Sequence, residues 1–196
     1  LLQSHRGWDL GILDIFDYLK KEADFSAFST ISRLLIEKNR SLHHKDLFSE
    51  ITKPLSSSLR YEIIKEFYLP YRNEVELIKT YINKGEDVLH LSLHSFTPIL
   101  NGKIRNTDIG ILYDPKKEVE LFWVKKMKLK MESLANFKIR RNYPYLGTAD
   151  GFTTYLRKKF PKNYSGIEIE LNQGLLKDGQ FSLPLKQNLK AMILDL

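Results

Sequence analysis

A single-domain, three-layer α/β sandwich around a central mixed, mostly parallel sheet is the fold this sequence predicts, on three observations. Short apolar runs with period-two alternation occur at 87–94, 108–113, 137–141 and 164–171. Around them lie stretches with apolar residues three and four apart, the longest at 118–134. No internal repeat, low-complexity tract or linker interrupts the 196 residues, so one domain is expected over 1–196.

Trp8, Ile12, Ile15, Phe16 and Leu19 fall at helical spacing and predict an amphipathic helix over about 9–22. The β-branched and aromatic content of Ala27–Thr30 predicts a short strand, followed by an irregular segment ending at Asn39-Arg40. Residues 41–55 read as loop with a short helix. Ser56–Ser58 can cap a helix running to Tyr68, Pro70 should interrupt it, and a second helix should run from Arg72 to Asn83 before Gly85. In the run 87–94, His90, Ser92 and His94 share one face of a strand. In the helix 118–134, Trp123, Met127, Met131 and Leu134 form the expected core stripe, with Lys125, Lys126, Lys128 and Lys130 as a solvated face. A loop at 147–151 leads to a helix over 151–159, and Pro184 opens the last helix, which is expected to reach Leu196.

The chain has no cysteine, so thiolate metal sites are excluded and any metal must be held by His, Asp or Glu. No apolar run approaches the roughly 20 residues of a membrane span, and Leu1–His5 lacks a signal-peptide layout; a cytoplasmic protein without a membrane partner is expected. The net charge of +7 comes from scattered lysines. The aromatics follow core periodicity with no stacking platform, so the expected partner is a small anionic substrate and not nucleic acid.

Five segments could carry chemistry. His94, near the end of a strand and followed by Ser95 and a Pro-containing loop, suits a metal ligand with an open coordination position, although strand histidines are more often simply hydrogen-bonded. Glu168 and Glu170 share the strand face opposite Ile167, Ile169 and Leu171; they are either a general-base pair or the wet side of a half-exposed strand. Asn39-Arg40 is either a clamp for a carboxylate or a surface turn. The loop from Arg140 and Arg141 through Tyr143, Tyr145 and Asp150 to Gly151 is dense in hydrogen-bonding groups, and its arginines could hold an anion. His5 and Asp9 stand four apart and could join a ligand set or cap a helix.

The order of these segments resembles the N-formylglutamate amidohydrolase family. The runs are His5–Gly11, Ser32–Arg40, Ser92–Pro98, Asp108–Pro115, Arg141–Gly151 and Gly166–Gln173. The resemblance implies a fold like that of zinc peptidases and metal-dependent hydrolysis of the amide of an N-acyl amino acid, such as N-formylglutamate, giving formate and glutamate. By the same resemblance His94 is a zinc ligand, Glu170 the general base, and Asn39 and Arg40 the grip on the substrate carboxylate. Arg105, Arg140 or Arg141 would take a second carboxylate, with Tyr143 and Tyr145 near the substrate. His5, Asp9, Ser95, Asp150 and Glu168 would support these groups. Family members carry Glu-His-Gly-Gly-Asn upstream of the position of Leu1, expected to give the other two zinc ligands, so an N-terminal strand with that segment is expected to precede this sequence. Glu37 stands where the family more often has Asp. An amidase or carboxypeptidase acting on other acyl amino acids or peptidoglycan fragments, or a binding protein of the same fold without activity, are the alternatives.

Overall fold

The structure, a computed structural model, describes residues 6–196. The chain divides into two compact units that it visits in alternation. Of the described residues, one comprises 6–8, Phe25–Val88 and Asp150–Tyr164; the other comprises Asp9–Asp24, Leu89–Ala149 and Ser165–Leu196.

The first unit is helical. The first helix in chain order, α1 (Ile12–Leu19), belongs to the second unit; here Ser56 caps α2 (Ser57–Ile63), its side chain accepting from the Leu59 amide. A π-helical turn over Ile64–Tyr68 leads into α3 (Leu69–Val75), and a 3₁₀ turn leads on to α4 (Lys79–Ile82). Pro70 therefore does not interrupt the run as predicted. The wider turn, with the Leu69 amide reaching back to the Ile64 carbonyl, absorbs the missing proline N–H. The predicted strand at 27–30 is absent and residues 41–55 form turns without a helix. Residues 27–30 find no ladder partner; instead the Lys38 ammonium donates to Ser29 Oγ and the Ile31 carbonyl. Two clusters make the core of this unit: Ile36, Leu47 and Tyr68 in one, and Val75, Ile78, Phe152, Leu156 and Tyr164 in the other.

The second unit holds the sheet. β1 (Val88–Phe96), β4 (Ile109–Leu112), β5 (Ile139–Arg141) and β6 (Tyr164–Asn172) lie in the order β1-β6-β4-β5, with β4 parallel to β5 and antiparallel to β6. The α/β class and the mixed central sheet agree with the sequence. Between β1 and β4 a hairpin pairs β2 (Ile99–Leu100) with β3 (Lys103–Ile104). Its turn is Asn101-Gly102, both at positive φ, the combination a tight hairpin twist demands.

α1 (Ile12–Leu19), α5 (Glu118–Leu134) and α7 (Leu183–Ile193) share one hydrophobic core with Ile109 and Ile111 of β4 and Ile167, Ile169 and Leu171 of β6. Because side chains alternate along a strand, the residues between these, Glu168, Glu170 and Asn172, point to the opposite face. The helix α5 has the predicted bounds, but its buried stripe is Glu120, Val124, Met127 and Met131. Trp123 is only partly buried and Leu134 is exposed, because the helix turns Val124 toward the sheet. Glu120 is tolerated there since its carboxylate accepts from the Asp114 and Gly166 amides. The helix α6 (Phe152–Lys159) belongs to the first unit.

Candidate active site

His94 stands two residues before the end of β1, on the face opposite the helices. Its Nδ1 is 2.8 Å from Asp9 Oδ2, a partner 85 residues away in sequence. Its Nε2 is 3.1 Å from Ser92 Oγ. Asp9 lies in the turn before α1, which begins only at Ile12; the possible pairing of Asp9 with His5 lies outside the described residues. Ser95 fixes this turn from the strand side, its hydroxyl donating to the Leu10 carbonyl at 2.9 Å while Gln173 Nε2 donates to Ser95 Oγ at 3.0 Å.

Glu168 and Glu170 are both buried, so β6 has no wet side, and the half-exposed strand considered from the sequence is excluded. Desolvation works against a charged His94. The hydrogen bond and charge of Asp9, followed by the charges of Glu170 and Glu168, outweigh it and push the imidazole up to about 10. Four groups from the turn at Asp9, β1 and β6 thus act on one another within the second unit.

Gly110 of β4 is paired with Glu170 in register. A Cβ on Gly110 would lie 2.0 Å from the Tyr143 carbonyl and 3.2 Å from Glu170 Cβ. Only glycine therefore lets the 142–147 loop close over the strand beside the Glu170 stem. Asn142, at positive φ, holds that loop by accepting from the Tyr113 and Gly147 amides at 3.0 and 3.1 Å. Ser92, Gly110 and Asn142 were not singled out from the sequence; the glycine inside a strand was the one signal available.

Arg105 is 91% buried by its 9% exposure. Its guanidinium lies 5.8 Å from the Phe96 ring and 4.9 Å from the Tyr145 ring, and donates to the Tyr145 hydroxyl at 2.9 Å. Arg140 and Arg141 are exposed, and Arg140 is stacked on Tyr143 at 3.9 Å.

Asn39, Arg40 and Asp150 meet in the first unit. Asn39 Oδ1 accepts from the Phe152 amide at 2.7 Å, Arg40 donates to the Asp150 carbonyl, and the Asp150 carboxylate accepts from the Ser41 amide and hydroxyl, each at 3.0 Å. Burial works to raise the Asp150 carboxyl, but these two Ser41 bonds with the charges of His44 and Arg40 leave it below its ordinary value. Arg72 and Tyr68 in turn grip the backbone of this motif, at the Lys38 and Arg40 carbonyls.

Whether these residues fit a metal can be asked of the donors themselves. His94 has the arrangement of a ligating imidazole, one nitrogen held by a carboxylate and the other facing a side-chain hydroxyl. Among the described residues no group of three or more His, Asp or Glu is placed to hold an ion. The described chain thus offers one oriented ligand position and not a complete set.

An oriented imidazole beside two buried carboxylates near the ends of adjacent sheet strands has the make-up of a hydrolytic centre in an α/β protein. A family profile described as N-formylglutamate amidohydrolase matches residues 1–176, and the chain belongs to that family. Two solved structures are similar. The gene product Atu2144 from Agrobacterium tumefaciens is 27% identical with a TM-score of 0.76, over 99% of this chain and 77% of that one. An N-formylglutamate amidohydrolase from Ralstonia eutropha JMP134 is 16% identical with a TM-score of 0.64, over 94% of this chain and 78% of that one, a likeness of fold. No curated protein matches the chain. No helix among the described residues is long and apolar enough to cross a membrane.

Proposed function

We propose that the chain hydrolyses the amide bond of a small anionic N-acyl amino acid of the N-formylglutamate kind, releasing formate and the free amino acid, with zinc held in part by His94. The observation that carries this reading is the Asp9–His94 pair facing buried Glu168 and Glu170; family membership gives it the amide as substrate.

In this reaction the amide C–N bond breaks and a C–O bond to water forms at the acyl carbon. When bound, zinc supplies Lewis-acid polarisation of the scissile carbonyl. Asp9 keeps Nδ1 of His94 engaged, so that Nε2 is the atom presented as ligand. His94 would hold the metal as a neutral imidazole, so the proton that Asp9, Glu170 and Glu168 favour on it would first have to leave. Glu170 takes the proton of the attacking water and returns it to the departing nitrogen, so that the amine leaves neutral. Glu168, two residues back on the same face, adds negative charge that favours a cationic metal. By the family resemblance Asn39 and Arg40 are the donors for the substrate α-carboxylate; Arg40 Nη1 already donates to the Asp150 carbonyl, and Asn39 Nδ2 and Arg40 Nη2 are the nitrogens with no acceptor among the described residues.

The test is formate release from N-formylglutamate by zinc-supplemented protein from the complete reading frame. Glu170→Gln should lower kcat by about 10³-fold, in the range expected for loss of a general base. Wild-type turnover in this variant would remove Glu170 from the role.

A further inference from the structure

Asp9 reaches His94 from the turn before α1, and the N-cap of that helix is Gly11, which has no side chain to fix the turn. The turn is fixed instead by the strand it wraps. Among the described residues β1 ends the strand order of its sheet, so the chain can pass round its edge. His94 and Ser95 are consecutive and point to opposite faces. Asp9 and Leu10 are consecutive as well. The Asp9 carboxylate meets His94 Nδ1 at 2.8 Å, and the Leu10 carbonyl accepts from the Ser95 hydroxyl at 2.9 Å. Two bonds, one on each face of the strand, hold adjacent residues of the turn, and loss of the Ser95 bond frees the chain one residue from Asp9.

Ser95 has a single proton to donate. It can go to Leu10 because Gln173 Nε2 donates to Ser95 Oγ, at 3.0 Å, and requires of the hydroxyl only a lone pair. Gln173 stands directly after β6, the strand of Glu170, and opens the 3₁₀ turn Gln173–Leu175. The Asn172 side chain sets that turn, accepting from the Gly174 amide at 2.8 Å and donating to the Thr107 carbonyl at 2.7 Å. Leu176, the next residue, packs at Gly11. The φ of Gly11 is 77°, and a Cβ there would lie 2.6 Å from Leu176 Cδ2 and 2.8 Å from Phe181 Cε2. The segment after β6 therefore acts on the Asp9 turn twice, through a hydrogen-bond relay at Leu10 and through packing at Gly11.

We propose that Gln173 is a positioning residue for the Asp9–His94 pair: by donating to Ser95 it directs the Ser95 proton to Leu10 and so keeps the Asp9 carboxylate on Nδ1. The use of that pair to hold zinc rests on the hydrolytic reading above; the positioning itself does not.

The direction of the bond supplies the experiment. Glutamate has the shape of glutamine, but its carboxylate can only accept, so Gln173→Glu competes for the Ser95 proton and draws it from Leu10. Gln173→Met only removes the donor. Two measurements on protein from the complete reading frame follow the pair: exchange of the His94 Nδ1 proton with water, by NMR of metal-free protein at fixed pH, and zinc affinity by chelator competition. Gln173→Glu should weaken zinc binding by about 10-fold, the scale of an outer partner of a ligating histidine. Gln173→Met should weaken it by about 3-fold, the scale of one neutral hydrogen bond. Proton exchange should quicken in the same order. In a Ser95→Ala background neither substitution should have a further effect, whereas a general loosening of the fold would add to it. Wild-type exchange in Gln173→Glu, a larger effect of Met than of Glu, or full additivity with Ser95→Ala overturns the proposal. If the exchange pattern holds in a protein that binds no zinc, the hydrolytic reading fails and the positioning role stands.

Discussion

Both units bury cations, and they neutralise them in different ways. In the second unit His94 is matched to a carboxylate, Asp9, with two more carboxylates near. In the first unit Lys38 and Arg72 are matched to neutral groups. Lys38 donates to the Ser29 hydroxyl and the Ile31 carbonyl and lies over the Tyr71 ring. Arg72 donates to the Lys38 and Arg40 carbonyls and lies 4.9, 3.9 and 4.4 Å from the rings of Tyr68, Phe152 and Tyr155. Neutral oxygens and ring faces fix a backbone in place without creating a reactive group. Opposed charges around a buried imidazole shift protons. The contrast assigns scaffolding to the first pattern and chemistry to the second.

Arg72 gives the largest test of the scaffolding half. Arg72→Met should cost about 3 kcal/mol of stability, because it strands buried carbonyls and removes the cation from three ring faces. Chemical denaturation measures it; a loss under about 0.5 kcal/mol would mean that the aromatic cage holds without its cation.

The smaller test uses pH on metal-free protein, where the two patterns predict opposite slopes. Burial, opposed in part by the Glu37 charge, lowers Lys38 from 10.5 to about 8. The unfolded chain then binds more protons between those values, so the cost of burying Lys38 is full below about 8 and is relieved as pH rises through 10.5. His94 is raised from 6.5 to about 10, so its contribution is full below 6.5 and is lost as pH rises through about 10. Relative to wild type, Lys38→Met should be at its most favourable at pH 7 and lose that advantage by pH 10. His94→Asn should be at its least favourable at pH 7 and recover by pH 10. Parallel urea-midpoint curves for both variants would remove the distinction between the units.

Much of the fold was legible because alternation reports geometry locally. β1, β4, β6 and α5 lie where the apolar periods place them, and the Asn101-Gly102 pair carried a hairpin signal of its own. Residues 27–30 had strand-forming composition without a partner, and a strand is defined by its partner. Pro70 was read as a break because the sequence does not show the π turn that accommodates it. For the candidate site, His94 and Glu170 were singled out from their place on strands and given roles by the resemblance, and the structure brings them into one unit with Asp9. The burial of Glu168 and Glu170 was not legible, because alternation shows which residues share a face and not what covers that face. Neither was the Asp9–His94 contact, which depends on chain separated by most of the first unit's sequence.

The central claim is that the Asp9–His94 pair is a metal-holding element of a hydrolytic centre. Zinc affinity of the full-length protein, measured by competition with a chromogenic chelator, tests it directly. The wild type should bind about one equivalent, Asp9→Asn should weaken that binding by about 10- to 100-fold through loss of the orienting carboxylate, and His94→Ala should abolish it. Wild-type zinc affinity in a folded His94→Ala protein would contradict the assignment.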